Sequence, residues 1–569
     1  MRDRLHSTSP HIDASAARFA RAPARANGGE TAVRVIATLT AALVALPVAS
    51  IFVLAAQPVP ELWPHLISYV LPGTLRDTLL LLAGVAVVTL VIGAGTAWLV
   101  TAHDFPGRSL LVWLLPMPLA IPTYIAAYVY ADLFEPLGLA HKMLSVLVPA
   151  QQAAMWLPNL RSLPGAILII GLVLYPYVFL SARAMFQTQG LDALEAARML
   201  RAGPWAIAWR VTLPMARPAL AVGLALVSLE TLNDIGASEY LGVRTFTVSI
   251  FNTWLNRSSL PGAAQIALLA LLFVALLVVL ERQGRRHRTY AGAENPRTIR
   301  RRRIAGAKGW AATVACMLPA LLGFVVPLLF LIRESLRRGL ADHSRTALLE
   351  EALHSFAYAA IATAIALLLG LAVVLASRWR PGRLRTTLGA IARAGYALPG
   401  LVLALGLLAP LLTVDNAANT LARTMGFATP GLVLIGSGAA VVIAYVVRFL
   451  AVPAGFIEAG FARIPRDYDD SAALAGASRL TTLRKVHLPL LTPALLGAAI
   501  VVFVDCLKEL PATLLLRPMN VETLATSIYQ YASRGSFEDG ALAALLIVAA
   551  SIGPVAWLAR FSDVPSGPA

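Results

Sequence analysis

The sequence predicts an all-α polytopic membrane protein of about twelve transmembrane helices, arranged as two homologous six-helix halves. Three observations predict it. The 569 residues are 58% hydrophobic and 14% charged, with a mean hydropathy of +0.72, whereas soluble domains carry about 25% charged residues. Apolar runs of about 20 residues, enough to cross a bilayer, recur along the chain. One stretch is also repeated: Leu213-Pro214-Met215-Ala216-Arg217-Pro218-Ala219-Leu220 returns as Leu488-Pro489-Leu490-Leu491-Thr492-Pro493-Ala494-Leu495. The offset, 489 − 214 = 275, also separates Pro106-Gly107-Arg108 from Pro381-Gly382-Arg383 (381 − 106 = 275). A repeated apolar half implies two bundles facing each other across a shared pathway.

Residues 1–33 lack helical periodicity and read as a disordered cytoplasmic tail. The run from Val33 to Ala56 ends in small residues, as a signal peptide does, but exceeds an h-region of about 7–15 residues, so an uncleaved first helix is expected. Further spans are expected near 76–101, 109–133, 163–186, 216–237 and 262–281, then near 310–332, 354–377, 387–412, 430–452, 493–514 and 541–560. The halves are thus 34–281 and 310–561, with repeated cores over about 74–281 and 353–561, a basic linker at 282–309 and a tail at 562–569. Pro116, Pro118, Pro122, Pro176 and Pro399 within spans permit bends around a cavity.

The net charge of +17 does not indicate nucleic acid. Its arginines lie in short blocks between apolar runs, the positive-inside pattern, and not together on one soluble domain. Summed over loops they place both termini in the cytoplasm, although Arg333, Arg337, Arg338 and Arg345 run against that bias. Cys316 and Cys506 lie in apolar stretches and are expected to pack as small hydrophobes. No Gly-x-x-x-x-Gly-Lys-Ser/Thr loop surrounds any of the four lysines, so the chain carries no phosphate cradle of its own. The histidines have no triad or metal spacing. No catalytic residue, metal ligand or cofactor site is assigned.

Two long loops between the fourth and fifth spans carry the most specific signal. The first holds Glu195, Ala196 and Ala197, then Gly203, and ends at Leu213-Pro214. The second holds Asp470, Ser471 and Ala472, then Gly476, and ends at Leu488-Pro489. Each predicts a short helix of good formers, stopped at a glycine, before the next span. Such a helix suits a groove on a partner protein, although one loop alone would also fit an amphipathic helix lying on lipid. Two loops at one offset favour a two-fold partner.

These loops resemble the EAA loop of binding-protein-dependent ABC transporter permeases. The resemblance extends to Glu230-Thr231-Leu232-Asn233-Asp234 with Glu239-Tyr240-Leu241-Gly242, and to Asp505-Cys506-Leu507-Lys508-Glu509 with Leu516-Arg517-Pro518, which are similar to the two halves of iron(III) transport permeases. It covers about residues 74–561 and implies a type I ABC importer permease fold in a bacterial inner membrane. It further implies two copies of a cytoplasmic ABC ATPase docked on the loops, a periplasmic substrate-binding protein, and no nucleic acid. Arg201 stands at the first loop's glycine position, and Asp470 and Ser471 replace Glu and Ala in the second. Thiamine, organophosphonate and polyamine importers share the implied architecture.

Inside the membrane, Glu230 and Asp234 stand at i and i+4, and 275 residues later so do Asp505 and Glu509, with Lys508 matching Asn233. That spacing puts each pair on one helix face. Intramembrane charge costs about 2.5–3.5 kcal/mol per residue on insertion scales and usually faces a bundle interior. Glu230, Asn233, Asp234, Asp505, Lys508 and Glu509 are therefore candidates to line or gate a pathway. The alternative is internal pairing, with Lys508 neutralising Asp505 or Glu509. Tyr175 and Tyr177 are expected to pack or to sit at the membrane interface, not to contact cargo. A secondary carrier using these carboxylates as ion sites is the competing class, and the paired long loops argue against it.

Overall fold

The computed structural model describes residues 28–561 apart from 137, 150–151, 153–154, 189–198, 201–202, 204–209, 211–212, 286–300, 338–343 and 380–381. The main helices of the first half are α1 (Gly28–Ala55), α2 (Leu71–Ala102), α3 (Arg108–Leu114), α4 (Thr123–Phe134), α5 (Leu163–Thr188), α6 (Leu213–Asn233), α7 (Gly236–Tyr240), α8 (Phe246–Leu255) and α9 (Leu260–Arg285). Those of the second are α10 (Gly306–Ala320), α11 (Val326–Arg337), α12 (Ser344–Trp379), α13 (Arg383–Ala394), α14 (Gly400–Thr424), α15 (Ala439–Phe449), α16 (Ala451–Ala462), α17 (Asp467–Leu474), α18 (Leu488–Lys508), α19 (Pro511–Leu516), α20 (Leu524–Ser533) and α21 (Ala541–Phe561). Ten helices among the described residues are long and apolar enough to cross a membrane, and counting two bent pairs as one span each gives twelve. The internal repeat is structural: α6 and α18 begin 488 − 213 = 275 residues apart and end 508 − 233 = 275 apart.

Several expected spans are interrupted where the backbone dictates. The run at 109–133 is split into α3 and α4 around Pro116, Pro118 and Pro122, and the two limbs bend by 93°. Pro399 likewise separates α13 from α14 within the run expected at 387–412. Proline forfeits a helical hydrogen bond and biases the residue before it away from the helical region. The span expected at 430–452 instead starts at Ala439, after Gly431, Gly436 and Gly438, and bends by 42° between α15 and α16. The spans expected at 216–237 and 493–514 stop at Asn233 and Lys508.

Lipid tails are as apolar as leucine, so helices in a membrane associate through close packing of small residues. The buried face of α2 follows that rule: Thr74, Thr78, Leu81, Val85, Thr89, Gly93, Thr96 and Val100 recur every three or four residues and pack on α5 and α6. Leu75, Leu79, Val87 and Val91 of the same helix are exposed, as a lipid-facing side requires. Hydroxyls on the buried face donate back into the helix, Thr89 to the Val85 carbonyl at 2.8 Å and Thr96 to that of Ile92 at 2.7 Å.

The leading helix of each half crosses onto the other. α1 packs along α12, α13 and α14 of the second half as well as α9 of its own. α10 and α11 return the exchange against α2, α3 and α4. A two-residue parallel bridge, His103–Asp104 with Arg302–Arg303, fastens the chain entering α10 to the end of α2. α1 reaches α14 where Gly406 has no side chain: a Cβ there would stand 2.3 Å from the Pro47 carbonyl oxygen and 2.8 Å from its carbon. Because the obstacle is backbone, Gly406→Ala is expected to destabilise the fold by about 1–3 kcal/mol. The measurement is the unfolding midpoint in detergent, and an unchanged midpoint would deny that α1 is held against the second half.

Candidate functional site

The ends of α6 and α18 converge on a cavity of about 110 Å³ between the two halves. Its wall includes Glu230, Asn233 and Asp234 from the first half and Asp505, Lys508 and Glu509 from the second, all six of the expected intramembrane residues. Thr123, Tyr124, Tyr177, Tyr396 and Arg448 complete its polar lining. Tyr177, expected to pack or to sit at the interface, lines the cavity instead. Tyr175 is fully buried and donates to the Leu115 carbonyl at 2.8 Å, so it packs as expected.

All four carboxylates face one cavity from the ends of α6 and α18, and the Asp234 N–H still bonds the Glu230 carbonyl at 3.1 Å. Glu230 and Asp505 lie within α6 and α18, but those helices end before Asp234 and Glu509. The two displaced carboxylates instead accept from the backbone of the next short helix, Asp234 from the Ser238 N–H at 2.9 Å and Glu509 from the Ala512 N–H at 3.1 Å. Unpaired amides at a helix start attract a carboxylate, which breaks the span and turns both groups inward.

Side-chain pairing is partial. Lys508 Nζ lies 3.3 Å from Asp505 Oδ1, as the pairing alternative anticipates. Glu509, however, is matched by Arg448, whose Nε is 3.2 Å from Oε2, both side chains being about 95% buried. Arg448 Nη1 also donates to Asn233 Oδ1 across the halves at 2.9 Å, and the Gly400 N–H donates to the same oxygen at 2.6 Å. Tyr396 donates to Glu230 at 3.2 Å, and Thr123 donates to Asp234. The Tyr124 hydroxyl is buried in the wall without a hydrogen-bond partner among the described residues. Arg448 and Tyr396 went unmarked in the sequence. The signal for Arg448 was there, an ionisable residue inside the apolar run Ala439–Phe449.

Toward the far side of Gly236 lies a second cavity, lined by Tyr128, Arg161, Glu239, Tyr240 and Tyr529. Tyr529 donates to Glu239 Oε2 at 2.7 Å, joining the halves again. Burial pushes the Glu239 carboxyl above its ordinary range, while the Tyr529 hydrogen bond opposes that rise.

At the other end of α18, about 30 Å away along 21 residues of helix, is the second expected loop. α17 carries Asp470, Ser471 and Ala472 and buries no residue of its own; Leu474 is 90% exposed. Gly476 closes it with φ +73°, its N–H bonded to the Ala473 carbonyl and that of Ala477 to the Ala472 carbonyl. This left-handed cap favours glycine. Asp469 anchors the helix: Arg378 donates to it at 2.6 Å and His487 Nε2 stands 2.9 Å away. Leu488 and Pro489 begin the regular part of α18, directly after a π-helical turn at Leu483–His487. In the first loop Gly203 is exposed and Leu213-Pro214 open α6, while Glu195, Ala196 and Ala197 lie outside the described residues.

Two exchanged membrane half-bundles enclosing a polar cavity, with an exposed loop helix one span away, define a transport permease. The chain belongs to the family described as binding-protein-dependent transport system inner membrane component, whose model matches residues 90–288 and again 366–563. It is therefore a multi-pass inner-membrane permease of the ABC importers, with both halves fused in one chain. It is 23% identical over 495 residues to the Fe(3+)-transport system permease protein FbpB 2 of Haemophilus influenzae, covering 86% of this chain and 90% of that one. Over 211 residues it is 31% identical to the sulfate transport system permease protein CysW of Escherichia coli, covering 34% of this chain and 67% of that one. It is also 26% identical over 198 residues to the molybdenum transport system permease protein ModB of Escherichia coli, covering 33% and 83%.

Proposed function

We propose that the permease passes iron(III) from a periplasmic binding protein to the cytoplasm through the cavity between its halves. Two copies of a separate ATPase dock on the loops around Glu195 and Asp470, and both termini lie in the cytoplasm. The observation carrying the iron reading is the charge of the cavity: four carboxylates, Glu230, Asp234, Asp505 and Glu509, against Arg448 and Lys508. Carboxylate and hydroxyl oxygens suit hard cations. The Tyr124 hydroxyl adds an oxygen with no hydrogen-bond partner among the described residues. An oxyanion such as sulfate or molybdate would meet four carboxyl groups against two basic side chains, which favours the cargo of the full-length Haemophilus relative over those of the shorter matches.

The test is uptake by vesicles holding the permease with its ATPase and binding protein. Radiolabelled iron(III) is expected to accumulate with ATP, and Glu230→Gln and Asp505→Asn are each expected to slow it about tenfold, the equivalent of 1.4 kcal/mol. Accumulation of sulfate or molybdate in its place would overturn the cargo. Uptake driven by a pH gradient without the ATPase would overturn the coupling and restore the secondary carrier.

A further inference from the structure

We infer that Arg448 is a tethered counter-ion on the Glu509 carboxylate that incoming cargo must displace. The inference rests on the cation-pathway reading and adds to it a residue that sets cargo affinity. The two halves supply equivalent carboxylates, Asp234 and Glu509 (509 − 234 = 275), but unequal surroundings. Where the second half has Arg448 the first has Val173 (448 − 275 = 173), and both line the cavity. Asp234 accepts from the neutral groups of Thr123 and Ser238. Glu509 is instead paired with a guanidinium 3.2 Å away.

The chain also makes room for that guanidinium. Gly400 opens α14 directly after Pro399, as Thr123 opens α4 directly after Pro122. A Cβ at Gly400 would lie 2.5 Å from Arg448 Nη1, 2.5 Å from Glu509 Oε1 and 3.3 Å from Asn233 Oδ1. The pair thus depends on a missing side chain as well as on its own charges. Tyr124 lines the same cavity, and its hydroxyl has no hydrogen-bond partner among the described residues, an oxygen available to a ligand. A cation entering here competes with a positive charge that cannot diffuse away. Competition of this kind lowers affinity for any cation, and once cargo leaves, Arg448 reoccupies Glu509. The Arg448–Asn233 bond crosses between the halves, so displacing Arg448 also loosens their contact.

The probe is Tb3+, a hard trivalent cation whose luminescence is sensitised by nearby tyrosines such as Tyr124, Tyr177 and Tyr396. It is titrated into the purified full-length permease, at a temperature below the unfolding midpoint of every variant. Arg448→Gln is expected to bind Tb3+ about tenfold more tightly than wild type, because the competing unit charge is gone. Arg448→Lys is expected to restore wild-type affinity, and Arg448→Gln with Glu509→Gln to lose the gain. Gly400→Ala keeps both charges but forces the pair apart, so it is expected to tighten binding severalfold even if Arg448→Gln fails to fold. Equal or weaker binding in both Arg448→Gln and Gly400→Ala overturns the inference alone. A signal independent of Glu230 and Asp505 in every variant overturns the cation-pathway reading, and this inference with it.

Discussion

Arg448→Ala is expected to cost about 3–5 kcal/mol of stability, the usual penalty for leaving one member of a buried ion pair uncompensated. Glu509, 5% exposed beside Arg448, would keep the Ala512 amide as a hydrogen-bond donor, and Asn233 would lose one of its two contacts across the halves, keeping that from the Gly400 N–H. A membrane setting aggravates the loss, since water is scarce around the orphaned carboxylate. The unfolding midpoint in detergent should fall steeply and iron(III) uptake should stop. Adding Glu509→Gln is expected to recover much of the stability, because a neutral amide needs no counter-charge. A midpoint unchanged by Arg448→Ala would mean that the pair contributes nothing to the fold.

The second large effect is expected at the loop helix and should leave the fold untouched. Leu474 is 90% exposed on α17, which buries none of its residues, so Leu474→Asp removes no internal contact. If α17 seats in a groove on an ATPase, a leucine at its end is an apolar anchor. Anchors of that kind are worth about 2 kcal/mol or more, so co-purification of the ATPase should weaken by about thirtyfold and ATP-driven uptake should fall with it. The unfolding midpoint is expected to stay at the wild-type value. Glu195→Ala tests the equivalent loop of the first half, and the double variant should abolish uptake. Full coupling in Leu474→Asp, or in a variant lacking both Glu195 and Asp470, would sink the docking assignment.

Much of the architecture was legible because hydropathy and repetition are local properties. The offset of 275 separates α6 from α18 at both ends, although the spans were expected at 216–237 and 493–514. The prolines at 116, 118, 122 and 399 mark real interruptions, yet the runs they interrupt look continuous to a measure of apolarity alone. That is why α3 with α4, and α13 with α14, were expected as single spans. The carboxylates were legible as a set, since charge in an apolar run is conspicuous. Their exact placement was not, because where α6 and α18 stop depends on amides of α7 and α19 that only the folded chain presents to Asp234 and Glu509.

The sequence by itself determined the membrane class, the two-fold repeat, the paired loops and the residue types gathered at the cavity. Each of these follows from composition or from spacing along the chain. Tertiary structure alone decided that α1 and α10 trade places between halves, and that Arg448, 215 residues from Asn233, lies between it and Glu509. Within a membrane hydrophobicity does not choose partners, because every lipid-facing helix is equally apolar. Close packing and the pairing of buried charge choose them, and both depend on distances in space that no linear pattern encodes.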